Sequence, residues 1–119
     1  MIDDRTEALL DLIRLRRPTA EARRRLQAFP WDSDTDLVLL TPADLRRVLD
    51  GFASGHLTAE EVEEWANAIE SRDDVGFDEL SQDLVFDCLF ELANPRIERP
   101  LIVAIPDWIG RLPVPPDAP

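Results

Sequence analysis

The chain has 119 residues, 13 of them basic and 25 acidic, for a formal net charge of −12. That length fits one domain, and an apolar content of 45% supplies a core and excludes a disordered chain. No stretch approaches the ~18 unbroken apolar residues of a membrane span, the start MIDDRTEALL has acids where a signal peptide is basic, and the single cysteine, Cys88, excludes an intrachain disulfide. A soluble cytoplasmic protein is the expectation.

The charge is unevenly spread. Residues 1–30 carry seven arginines against five acids, and the rest carries six against twenty. Every basic residue except His56 is arginine, whose planar fork suits bidentate carboxylate pairing.

Residues 3–17 read as a first helix, with Leu9, Leu12 and Ile13 on one face and Leu10 and Leu15 beside it. Arg14, Arg16 and Arg17 sit in its last turn, where the helix dipole favours cations, and Pro18 ends it. Thr19 caps a second helix to about residue 28, burying Ala22, Leu26 and Phe29. Six arginines between Arg14 and Arg25 invite a nucleic-acid reading. No aromatic is interleaved, however, and phosphate would be repelled by the molecule as a whole. Facing the acidic half of the same chain, or a place at helix ends, fits them better.

Residues 31–41 are irregular. Leu37 to Leu40 fit either a short extended segment or a buried lead-in to the next helix. Asp32, Asp34 and Asp36 are spaced like calcium-loop ligands, but Leu37 stands where the loop needs glycine and Ala43 where it needs glutamate. Thr41, Pro42 and Asp44 start a third helix, running to residue 52 or 53, with Leu45, Val48, Leu49 and Phe52 as its buried stripe. Gly55 is placed to end it. Thr58 and Glu61 form a capping box for a fourth helix to about residue 71, burying Val62, Trp65, Ala66 and Ile69.

After a turn at 72–76, residues 77–94 predict a helix, its body at about 78–93, that is apolar on nearly every side and therefore central. Leu80, Leu84, Val85, Cys88, Leu89 and Leu92 cover one half, and Phe86, Phe90 and Ala93 much of the rest. Its one polar ridge is Glu79, Asp83, Asp87 and Glu91, where like charges repel by about 0.2–0.5 kcal/mol per pair. Pro95 closes the helix. Residues 101–105 are apolar, Pro106 is placed to start a short last helix carrying Trp108 and Ile109, and four prolines mark residues 112–119 as an extended tail.

Between Thr58 and Glu91 there are twelve acids and one base, Arg72. Apolar positions keep helical spacing throughout, so this is a folded acidic surface. Such a surface serves solubility, or steers a cationic partner. Catalysis by paired carboxylates needs one of them buried and proton-holding, whereas these acids recur on outward faces. Nothing supplies a nucleophile with its base, a phosphate-cradling glycine loop or a His/Cys metal set. The turn holding Arg72 and Asp74 reads as structural, worth about 0–1 kcal/mol if exposed.

The segments LTPADLRRVLDGFASGHLTAEEVEEWANAIESRDDVGF and LVFDCLFELANP resemble a group of small, uncharacterised bacterial helical proteins. These pair a W-A-x-x-I-E-x-R-x-D core with a later L-F-E-L-A-N-P. Trp65, Ala66, Ile69, Glu70, Arg72, Asp74 and Phe77 carry the first part, and residues 89–95 the second. The resemblance spans residues 40–95 and implies no activity, though some such proteins are similar to immunity proteins that neutralise toxins. Pro106 departs from the capped final helix the resemblance implies.

The expected fold is an all-α single domain over residues 1–112, a bundle of five to six helices with a proline-rich tail at 113–119. The expected function is non-catalytic, immunity-like binding of a basic protein such as a nuclease toxin through Glu60, Glu64, Glu79, Asp83, Asp87 and Glu91. The alternative is a structural or homodimerising domain whose acids serve solubility alone. No cofactor, metal, nucleic acid or membrane is expected to bind.

Overall fold

The structure, a computed structural model, describes residues 3–30 and 32–113. Its elements are α1 (Asp4–Ile13), α2 (Thr19–Leu26), β1 (Val38–Leu40), α3 (Pro42–Ala53), α4 (Ala59–Glu70), β2 (Val75–Phe77), α5 (Gln82–Ala93) and α6 (Leu101–Arg111). The fold is mostly helical, with six helices among the described residues, as expected, and carries one small two-stranded sheet besides. The strands β1 and β2 pair in parallel, with Val38 opposite Val75, Leu39 opposite Gly76 and Leu40 opposite Phe77. The α3–α4 pair makes the crossover between them, the kind of long connection that parallel strands require. Of the two readings of residues 37–40, the extended one holds. Val38 and Leu40 point inward and Leu39 outward, the alternation a strand imposes. A Cβ at Gly76 would collide with the carboxylate of exposed Asp36, which would have to swing aside.

The two capping boxes form as their sequences imply. Asp44 N–H donates to Thr41 Oγ1 at 3.2 Å and Thr41 N–H to Asp44 Oδ2 at 3.0 Å. Glu61 N–H donates to Thr58 Oγ1 at 3.1 Å and Thr58 N–H to Glu61 Oε1 at 3.0 Å. Each box satisfies donors that a helix start otherwise leaves without partners.

Helix α1 stops at Ile13, four residues before its expected end. Leu15 adopts φ 49°, and Arg16 N–H donates to the Asp11 carbonyl while Leu15 N–H donates to that of Leu12. This is a Schellman ending with leucine in the position glycine usually fills. Its cause lies in Asp11, only 5% exposed. Reversing the chain here lets Arg16 Nε reach Asp11 Oδ1 at 2.8 Å and Arg17 Nε reach Oδ2 at 3.2 Å, with Arg25 Nη1 at 2.7 Å from Oδ2. An unpaired charge so buried would be costly. Three N-terminal arginines are therefore held by an acid of their own segment rather than by the acidic half of the chain.

One apolar cluster draws on every element, with Trp65 and Trp108 among its largest members. The enclosed helix is α4, not the segment 78–93. It packs against α1, α2, α3 and α5, and Trp65 Nε1 donates to the Leu12 carbonyl at 2.9 Å. Helix α5 touches α3, α4 and α6 and keeps one side open. It is also shorter than expected. Residues 75–77 belong to β2, and residues 79–81 form a 3₁₀ turn that leaves Leu80 97% exposed instead of inward.

Helix α6 runs unbroken through Pro106. Leu101, Ala104, Ile105 and Trp108 form one buried stripe across the proline, which itself faces solvent. The stripe overrides the break because the missing hydrogen bond falls on the outer side, beside exposed Ile102. Of the expected tail, residues 114–119 lie outside the described residues. None of the described helices is long and apolar enough to cross a membrane.

Candidate functional site

The six acids singled out from the sequence differ in their surroundings. Glu60 is exposed in the first turn of α4. Glu64 is half-buried and lines a cavity of about 390 Å³ at the α1–α2 turn, together with Arg16 and Arg17. Glu79 is exposed in the 3₁₀ turn, off the α5 ridge on which it was expected. Asp83 and Asp87 are exposed on the open side of α5.

Glu91 does not belong with them. Its Oε1 accepts from Arg99 Nε at 2.6 Å and its Oε2 from Trp108 Nε1 at 2.8 Å. Burial pushes this carboxyl up, but the Arg99 and Trp108 hydrogen bonds outweigh burial and hold it below its usual range. Arg99 also reaches Asp107 at 3.2 Å. Glu91 therefore joins α5 to α6 and is not available to a partner. Nothing local in the sequence marks it apart from Asp87, because its partners come from eight and seventeen residues downstream.

Beside Asp83 and Asp87 lies a feature that helical spacing assigned to the core. Phe86 is 52% exposed. Its ring stacks on Phe90, centroids 6.2 Å apart, and meets Phe77 edge-on at 6.4 Å. These rings border a cleft of about 260 Å³ between α5, β2 and the end of α4, with Ile69, Val75 and Leu89 as apolar lining. Glu70, Arg72 and Asp73 stand on the α4 side. Burial pushes the Glu70 carboxyl up, with a hydrogen bond from Asn94 opposing it. The sequence did carry a signal for this site: Phe86 and Phe90, four apart, run beside Asp83 and Asp87, also four apart, on one arc of the helix.

Arg72 is not exposed, as a pair worth 0–1 kcal/mol would be. Asp74 is 0% exposed. Arg72 Nε donates to its Oδ1 at 2.9 Å and Nη2 to its Oδ2 at 2.9 Å, the bidentate geometry arginine favours. Arg5 Nε donates to Oδ2 at 3.0 Å from α1. Both arginines also reach the Pro30 carbonyl, and Arg5 the Asp32 carbonyl. The Asp74 carbonyl accepts from Leu37 N–H at 2.8 Å. One short turn thus ties α1, Pro30, Asp32 and the start of both strands together.

Cys88 and His56 do not meet. His56 is exposed in the α3–α4 turn, 2.7 Å from Ser54 Oγ. Cys88 is fully buried, and burial, with the Glu91 charge adding to it, pushes its thiol well up. It therefore stays protonated and unreactive at neutral pH. Among the described residues, no group of three or more His, Cys, Asp and Glu side chains is placed to hold a metal ion. No family model, no curated protein and no solved structure matches this chain.

Proposed function

We propose that the protein is a non-catalytic binding module that docks a basic partner protein on its acidic surface, as an immunity-type neutraliser docks a cationic toxin such as a nuclease. One observation carries this reading. Of the twelve acids between Thr58 and Glu91, only Asp74 and Glu91 make ion pairs among the described residues. Asp11 and Asp44, outside that segment, are each paired with arginine. Charge that the fold leaves uncompensated creates a negative field that accelerates encounter with a cationic protein.

A basic protein encoded beside this chain is the natural first partner to assay. Binding measured by calorimetry should weaken steeply as salt is raised. Charge reversal at Glu60, Glu64, Asp83 and Asp87 should abolish it while the circular dichroism melt stays cooperative. Glu91 is left out of that set because reversing it would strand Arg99 and Trp108. Binding that ignores both salt and the four reversals would reject the reading. A homodimerising role is the second reading, supported by the half-exposed Phe86. A salt-resistant dimer in sedimentation would favour it.

A further inference from the structure

We infer that the cleft between α5, β2 and the end of α4 is an anchoring pocket for a basic segment of the partner, taking one apolar or aromatic side chain flanked by arginine or lysine. This rests on the proposed function and assigns it a specific point of contact.

Three observations meet in the cleft. Its lining is apolar, with Ile69, Val75 and Leu89 between the Phe77, Phe86 and Phe90 rings. Its volume, about 260 Å³, falls under the roughly 300–1,000 Å³ of sites that enclose a whole small molecule. A single inserted side chain suits it better. Both banks are acidic: Asp83 and Asp87 continue beyond the Phe86–Phe90 ridge, and Glu70 stands opposite on α4.

Of the cations nearby, Arg111 shares a cavity with Asp87 and Phe90 but lies over the Trp108 ring, 3.9 Å from its centroid, and leaves Asp83 and Glu70 uncompensated. Arg72 and Arg5 are engaged by Asp74, with Asp73 alongside. Glu70 is partly desolvated, and its carboxylate gains from a cation placed against it. Exposed phenyl faces also attract guanidinium and ammonium groups. A second copy of this chain is a poor occupant, because a net charge of −12 would bring acid against acid at such an interface. The complementary surface is a cationic stretch with an apolar anchor at its centre, the arrangement in which a buried anchor supplies most of the affinity.

The test uses the intact chain, isotopically labelled, and three blocked hexapeptides. One has a leucine–phenylalanine pair between two arginine pairs, the second is all arginine, and the third replaces the arginines of the first with serine. The first peptide should shift amide resonances in residues 69–77 and 85–90. The all-arginine and serine peptides should bind at least about tenfold more weakly. Phe86→Ala should weaken the first peptide by about the same factor.

Asp83→Arg with Asp87→Arg, at exposed positions, should also abolish its binding, and decides the matter should Phe86→Ala fail to fold. Equal binding of the first two peptides, unaffected by Phe86→Ala, overturns the pocket while leaving the acidic-surface reading standing. No binding of either arginine peptide overturns both. Equal binding of the serine peptide overturns the requirement for a basic segment. A dimer dissolved by Phe86→Ala shows a second copy in the cleft and overturns the inference.

Discussion

Two acids four residues apart on α5 have different roles, and their surroundings explain why. Asp87 is solvated, whereas Glu91 is clamped by Arg99 and by the Trp108 indole. Replacing Glu91 with glutamine keeps the shape and removes the charge, and should cost about 1.5–3 kcal/mol at neutral pH. The folded carboxyl titrates below its unfolded value, roughly 4.3. Its stabilisation is therefore complete above that value and fades as pH falls through the folded one. Urea melts of wild type and Glu91→Gln should differ at neutral pH and converge in acid. A gap that persists in acid would mean the lost stability comes from packing and not from the charge. The acidic ridge was legible in the sequence, but the capture of one of its members by a distant indole was not, since long-range pairing leaves no local mark.

At the scale of elements, local chemistry was readable wherever both partners lie within one turn. The Thr41 and Thr58 boxes are such cases, and so is Gly55, which ends α3 with φ 86°. Thr19, expected as a cap, is instead the first helical residue of α2, which ends at Leu26, and the same rules misplace the end of α1, the start of α5 and the course of α6. In the last three a contact made elsewhere outweighs a local preference of about 1–3 kcal/mol. Arginines pulled back to Asp11 put Leu15 into the left-handed region. Strand pairing claims Val75–Phe77, and the buried stripe of α6 carries the helix past Pro106. Pro106→Ala should restore the missing hydrogen bond at an exposed position and stabilise the protein by about 1–3 kcal/mol, less the entropy returned to the unfolded chain. A rise in melting temperature checks it. No rise would mean that the proline is no burden to α6.

On the scale of the whole molecule, Asp74 joins the first helix to the strand pair. Asp74→Asn leaves two half-buried arginines without their counter-charge and should cost about 2–4 kcal/mol, a large part of the roughly 5–15 kcal/mol that holds a domain together. Its exposed neighbour serves as the control: Asp73→Asn should change stability by under about 0.5 kcal/mol. Equal denaturation midpoints for the two variants would show that the turn is not the tie its geometry implies. The sequence by itself determined the helical class, most buried stripes, the two capped helix starts and the excess of acid between Thr58 and Glu91. All of these depend on spacing within a few turns of chain. Only the tertiary structure decided that α4 and not α5 is enclosed, that Val75–Phe77 finds β1 as a partner, and that the open side of α5 presents Phe86 beside its acids. Those outcomes depend on which faces meet across the fold, and an apolar residue carries the same pattern whether a neighbouring helix covers it or none does.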